Sequence, residues 1–260
     1  MLTDFHLDKS VFDAAVLTDE SFSTVHDIII DYWKRYGVLV IQSDTANEYL
    51  ESIKSLPPKF HQRWIQAFTD YSKFKSAGSW NECSSFSSFE KVRSLSQFFK
   101  VALMEDTFSA IICDNKKIIR YCTESSFELI GLGAITESVH FRKSKDSSTK
   151  DIALRADIYD IWLEKFERLT KYNSKIFISD RFVFSSILRD LDKGYKTSIA
   201  KFIELLPIEK KFNITILSDG DELSSQMHTE VSNYFSKYIM NVATTCAKNI
   251  KYKTSIHEIR

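Results

Sequence analysis

Four acids stand where apolar runs end. Asp8 closes the front of Phe5-His6-Leu7-Asp8-Lys9-Ser10-Val11-Phe12, and Glu48 follows Val38-Leu39-Val40-Ile41 after a short polar stretch. Asp114 ends Phe108-Ser109-Ala110-Ile111-Ile112-Cys113-Asp114, and Asp106 sits in Leu103-Met104-Glu105-Asp106-Thr107. Carboxylates that converge from strand ends and helix starts suit Mg²⁺ or Mn²⁺, hard cations that prefer oxygen. An ion held this way activates water and neutralises the charge that develops on a phosphate during phosphodiester hydrolysis. The expected metal ligands are therefore Asp8, Glu48, Asp106 and Asp114, with Asp8, Glu48 and Asp114 as the catalytic set. A plainer assignment stands beside it: Asp8 caps a turn and Glu48 lies on a solvated helix face.

Other chemistries lack their residues. The chain has no P-loop, no G-x-G-x-x-G, no H-E-x-x-H and no G-x-S-x-G. Its four cysteines, Cys83, Cys113, Cys122 and Cys246, form no C-x-x-C pair, so free thiols in a reducing, cytoplasmic setting are expected and a zinc site is not. The six histidines are scattered, with His6 and His26 the two that could approach Asp8. Lys+Arg and Asp+Glu both number 35, which argues against a bulk basic footprint for duplex DNA. Basic clusters at Lys116-Lys117, Arg142-Lys143-Lys145 and Lys248-Lys251-Lys253, with Tyr121, Phe141 and Tyr252 nearby, could instead track single-stranded RNA or DNA. No basic segment followed by an apolar stretch opens the chain, and no apolar run reaches about 18 residues, so neither a signal peptide nor a membrane span is expected.

The elements that must position the acids read as α/β. The 260 residues, 43% hydrophobic and 27% charged, are enough for one large or two small globular domains. Residues 5–12 read as a strand. A helix from Ser21 or Ser23 to Arg35 carries Val25, Ile28, Ile29, Tyr32 and Trp33 on one face and ends at Gly37. Val38–Ile41 is a second strand. A helix with Ala46, Tyr49, Leu50 and Ile53 stops at Pro57-Pro58, and another runs from Lys59 to Phe74. The Ser-rich stretch 76–88 is a loop, 88–100 a helix, and Phe108–Cys113 and Lys117–Cys122 are strands. Beyond a polar linker at 144–151 come an amphipathic helix from Ala153 to Leu169, strands at Lys175–Asp180 and Asn213–Leu217, and helices at about 182–192, 197–206 and 221–242. A tail strand at Asn249–Ile256 follows. Strand–helix alternation with short connections predicts two α/β layers, short mostly parallel sheets flanked by helices. The domains are expected at 1–143 and 152–260, the second with an incomplete sheet.

On Phe5–Val11, on Ile41-Gln42-Ser43 with Glu48, and on Ala110–Asp114, the first half resembles a PIN-like ribonuclease domain. Such domains open with an apolar strand ending in Asp, place a Glu on the helix after the second strand, and run a later strand into Asp. The resemblance covers about residues 1–140 and implies a metal-dependent endoribonuclease, of a bacterial toxin or phage-defence type. It departs at the third acid, because Asp106 lies too close to Asp114. The second half resembles a divergent phospholipase-D-like domain on Lys175–Phe182, Ser198–Leu206, Ile214–Asp219 and Ser255–Arg260. Phospholipase-D catalysis needs H-x-K, and the nearest stretch, His140-Phe141-Arg142, has Arg in place of Lys. The resemblance therefore implies recognition or assembly. The alternative to a nuclease is a non-catalytic subunit that docks on an ATPase or nuclease partner; a small-nucleotide phosphate-ester hydrolase is a third reading.

Overall fold

The computed structural model describes residues 2–43, 45–70, 73–106, 127–153, 156–207, 210–218, 224–234 and 249–252. Asp114 and the expected strands at 108–113 and 117–122 lie outside them. The chain divides into two compact units, Met1–Ala156 and Asp157–Arg260.

Among the described residues the first unit is built on five strands: β1 (Thr3–Leu7), β2 (Gly37–Ile41), β3 (Phe74–Ser76), β4 (Val101–Met104) and β5 (Glu128–Gly131). All pair in parallel in the order β3-β2-β1-β4-β5. β2 reads Gly-Val-Leu-Val-Ile and is buried at every position, as a parallel strand covered on both faces must be. Alternation then separates two cores. Phe5, Leu7, Leu39, Ile41, Val101, Leu103 and Ile130 face the helices Ser23–Tyr36, Ala46–Lys54 and Pro58–Asp70, which contribute Ile29, Trp33, Tyr49, Phe60 and Trp64. Val40, Ala102, Met104 and Leu129 face the opposite layer, where Trp80, Cys83, Phe89, Val92, Leu95 and Phe99 pack. Gly37 allows the Ser23–Tyr36 helix to turn straight into β2. A Cβ there would lie 2.7 Å from the Phe5 ring and 3.1 Å from the Trp33 Cα.

Three expectations need correction. The first strand stops at Leu7, and Ser10–Asp13 is a helical turn, so Asp8 stands at a strand end rather than inside a strand. The expected helix 88–100 is a short helix, Phe89–Val92, and a 3₁₀ turn, Arg93–Gln97, followed by strand β4, between β1 and β5. The polar stretch 144–151 is not a linker. Val139–Thr149 is a helix, anchored by buried Phe141 and by Ser144, whose hydroxyl shares a 2.7 Å hydrogen bond with that of Thr3. The division between the units falls instead after Ala156.

The second unit carries β6 (Lys175–Ser179), β7 (Asn213–Leu217) and β8 (Asn249–Tyr252), parallel in that order. Its core gathers Trp162, Phe184, Ile187, Ile203, Phe212, Ile214, Ile216 and Val231 from the helices Val183–Asp192, Ser198–Leu205 and Ser225–Tyr234, the strands and the helical segment 158–172. Thr197 caps Ser198–Leu205, accepting from the Ala200 amide at 3.2 Å. Both units are α/β, with parallel sheets flanked by helices. Among the described residues no helix is long and apolar enough to cross a membrane.

Candidate metal centre

In the first unit, chain order runs outward in both directions from β1, which lies between β2 and β4. The carboxyl ends of strands at such a reversal border the crevice where open α/β sheets bind ligands. Asp8 stands at that point on β1, and its amide donates to the Leu103 carbonyl of β4 at 2.9 Å.

The Asp8 side chain is fully buried and held by three donors. Its Oδ1 accepts from the Ser10 amide at 3.0 Å and the Ser10 hydroxyl at 2.6 Å, and its Oδ2 accepts from the Ser84 amide at 3.1 Å. A carboxylate offers about four lone-pair positions, so among the described residues one on Oδ2 is left.

The loop that supplies Ser84 is fixed where it leaves β3. Ala77 donates to Ile41 at 3.0 Å, and Ser43 donates to the Gly78 carbonyl at 2.9 Å. Gly78 adopts φ +53, a left-handed conformation that favours glycine, with the Phe98 ring where a Cβ would go. Gln42 then grips the loop twice, donating to Glu82 Oε1 at 2.9 Å and accepting from the Trp80 amide at 3.3 Å. The 3₁₀ turn Cys83–Ser85 presents Cys83 and the Ser84 amide to β1.

His6 lies on the same face of β1 as Asp8, two residues before it, and is fully buried. Its ring stacks on Phe99 at 5.0 Å and meets Trp80 edge-on at 5.2 Å. His6 Nδ1 lies 2.9 Å from the Val40 carbonyl and 3.1 Å from the Tyr49 hydroxyl. A carbonyl can only accept, and the Tyr49 proton is already donated to Leu7 at 2.6 Å, so Nδ1 carries a proton. In a neutral ring Nε2 therefore bears the lone pair. Buried Nε2 makes no hydrogen bond; Glu82 Oε2 stands 3.6 Å away. One ring nitrogen of His6, one Asp8 oxygen and Cys83 Sγ all lie within 4.8 Å of one another, the one such group of three or more His, Cys, Asp or Glu among the described residues.

The surroundings are electron-rich. Burial, then Asp8 and Glu82, push the Cys83 thiol well above its usual range. Burial, then Glu82 and Asp8, do the same to the Tyr49 phenol. A cation would reverse both. A positive group that interacts with Asp8 and Glu82 is Lys9, whose amine is raised chiefly by its hydrogen bond to Glu48.

Of the four expected acids, Asp8 is the one in this group. Glu48 sits in the first turn of Ala46–Lys54, its side chain 54% exposed and paired with Lys9. Asp106 follows β4 and leans over the end of β5: a Cβ on Gly131 would overlap its carboxylate. Burial raises the Asp106 pKa, opposed by a hydrogen bond from the Gly133 backbone. Asp114 lies outside the described residues. The plainer assignment is met in part, since Asp8 does cap the Ser10 turn and Glu48 is solvated. His26 does not approach Asp8; it lies on the other side of the sheet, in the helix-covered core beside Trp64 and Phe60. Glu82, Cys83 and Gln42 were not anticipated. The signals for them were the alternation His6-x-Asp8, which puts two ligand types on one face, and the adjacent acid and thiol at Glu82-Cys83. Neither a protein-family model, nor a curated protein, nor a solved structure matches the chain.

Proposed function

We propose that the first unit is a metal-dependent phosphodiesterase, PIN-like in its plan, that cleaves single-stranded nucleic acid at the carboxyl edge of its sheet. The observation that carries this reading is Asp8, a buried carboxylate with one open lone-pair position at the reversal point of a parallel sheet. Glu82, Glu48 and Asp106 supply further negative charge at or near the strand ends. Metal-bound water is the nucleophile in this reading. The preference for RNA, and a role in toxicity or phage defence, come from the family resemblance alone.

Labelled single-stranded RNA and DNA incubated with Mg²⁺, Mn²⁺ or Zn²⁺ test it. Wild type should cleave only with added metal, and Asp8→Asn should not. Because Asp8 also holds Ser10 and Ser84, Glu48→Gln serves as the second variant; it disturbs an exposed pair and should slow cleavage without unfolding the chain. Metal-independent cleavage, or equal rates in all three proteins, overturns the reading.

A second reading is favoured by one feature. The second unit exposes Phe177 (63%), Phe182 (58%) and Tyr195 (66%), aromatic surface suited to a protein partner. In a non-catalytic docking subunit, Asp8 would serve only to cap its turn, and no metal would yield cleavage.

A further inference from the structure

The donors around Asp8 are not those of a magnesium site. Mg²⁺ demands oxygen in near-octahedral array, whereas nitrogen and sulfur beside one carboxylate suit a borderline ion. We propose that His6 Nε2, Asp8 Oδ2 and Cys83 Sγ bind a divalent cation of the zinc class, with Glu82 bordering the fourth position. The proposal rests on the reading of Asp8 as a metal ligand and names the ion that residue takes, in place of Mg²⁺ or Mn²⁺.

Four observations support it. The tautomer is set: Nδ1–H is committed to the Val40 carbonyl, the arrangement by which ligating histidines are usually oriented. That leaves the Nε2 lone pair buried, without a hydrogen bond, and facing a carboxylate instead of a donor. Asp8 retains one lone-pair position on Oδ2. Finally, a ring nitrogen of His6, an Asp8 oxygen and Cys83 Sγ already lie within 4.8 Å of one another; ligand pairs around tetrahedral zinc are separated by about 3.3–3.8 Å, given Zn–N and Zn–O near 2.0 Å and Zn–S near 2.3 Å. The closure required is at most about 1.5 Å at any pair, within reach of side-chain adjustment in the Cys83–Ser85 turn. Glu82 is the partly exposed member of the group, at 22%, so solvent meets the site on its side. Three protein ligands and one open position are the pattern of catalytic zinc. Binding forms a metal–sulfur bond and releases the Cys83 thiol proton to solvent.

The test uses the full chain, stripped with a chelator and titrated with Co²⁺ as a coloured stand-in for zinc. A near-ultraviolet sulfur-to-cobalt charge-transfer band should appear and be displaced by Zn²⁺. Cys83→Ser should remove the band, and a chain with Cys113, Cys122 and Cys246 all changed to Ser should keep it. His6→Gln should weaken cobalt binding at least as much as the about 10–100-fold that loss of a mere supporting hydrogen bond costs a metal site. Circular dichroism of the stripped proteins establishes that each variant folds; should Cys83→Ser fail, the triple-serine chain decides alone, by showing or lacking the band. No sulfur band in that chain, or binding unchanged by His6→Gln, overturns the proposal. The two readings separate cleanly. Mg²⁺-supported RNA cleavage untouched by Cys83→Ser, with no cobalt band, sinks the zinc-class site and leaves the hydrolase. A cobalt band with no cleavage under any metal does the reverse.

Discussion

His26 gives the sharpest test of the packing. It is buried in the helix-covered core, stacked on Phe60 at 3.8 Å, and its Nδ1 accepts from the Trp64 indole N–H at 2.9 Å. An imidazole that accepts at Nδ1 cannot also be protonated there, so charging the ring breaks that bond. Burial, reinforced by the Arg63 guanidinium, lowers its pKa from 6.5 to about 4, against a smaller upward pull from the Leu17 backbone. Because the folded value lies below the unfolded one, the unfolded chain takes up a proton that the folded chain refuses. Stability is therefore fully present above pH 6.5 and is lost as pH falls toward 4. For pKa values of 6.5 and about 4, linkage sets the loss between pH 7 and pH 5 at about 2 kcal/mol, rising to about 3 kcal/mol below pH 4. Urea midpoints, followed by the fluorescence of Trp33 and Trp64, would be compared at pH 7, 6 and 5 for wild type and His26→Gln. The amide can accept from Trp64 without titrating, so the variant should lose about 2 kcal/mol less than wild type over this range. Parallel pH profiles, or an NMR titration of His26 with a midpoint near 6.5, would refute the reasoning.

Two further substitutions probe the frame. Glu128 is buried at the start of β5 and accepts from the Val139 amide at 2.6 Å and from the Ser138 hydroxyl, tying the Val139–Thr149 helix to the sheet. Glu128→Gln removes the charge from these bonds and should cost about 1.5–3 kcal/mol; unchanged hydrogen exchange at the first-turn amides of that helix would count against the tie. Gly37→Ala drives a methyl toward the Phe5 ring and the Trp33 backbone and should cost about 1–3 kcal/mol. A thermal midpoint equal to wild type would show that Phe5 yields freely.

The fold was legible where one residue pattern had one reading. Val38–Ile41 is an unbroken β-branched and leucine run, and Ser23–Tyr36 places Ile29 and Trp33 at helical spacing, so both elements are legible. Val101–Met104 was not, because Val-Ala-Leu-Met is a four-residue apolar run that fits strand and helix equally. The stretch 144–151 looked like a linker because its helix buries little besides Phe141 and Ser144, and polar composition alone does not separate a solvated helix from a connection. At the site, Asp8 could be read from its place after a strand. Cys83 and Glu82 could not, since they reach Asp8 through Gly78, Gln42 and the β2–β3 edge, tertiary relations that leave no local periodicity.

The position of β1 has a consequence for how this unit comes into being. β1 precedes the other described strands of its sheet in the chain, yet it is the middle strand, and Phe5 completes its ladder only against Val101. At about 5–20 residues per second, the roughly 100 intervening residues take about 5–20 s to synthesise. Through that interval one edge of Thr3–Leu7 is unpaired, with Phe5 and Leu7 beside it. Long-range parallel pairing is slow to form and open to wrong partners until it does. A nascent chain that ends before Val101 holds the three-strand start of a sheet and no crevice, so the liganding face of Asp8 exists only once the fourth strand has docked.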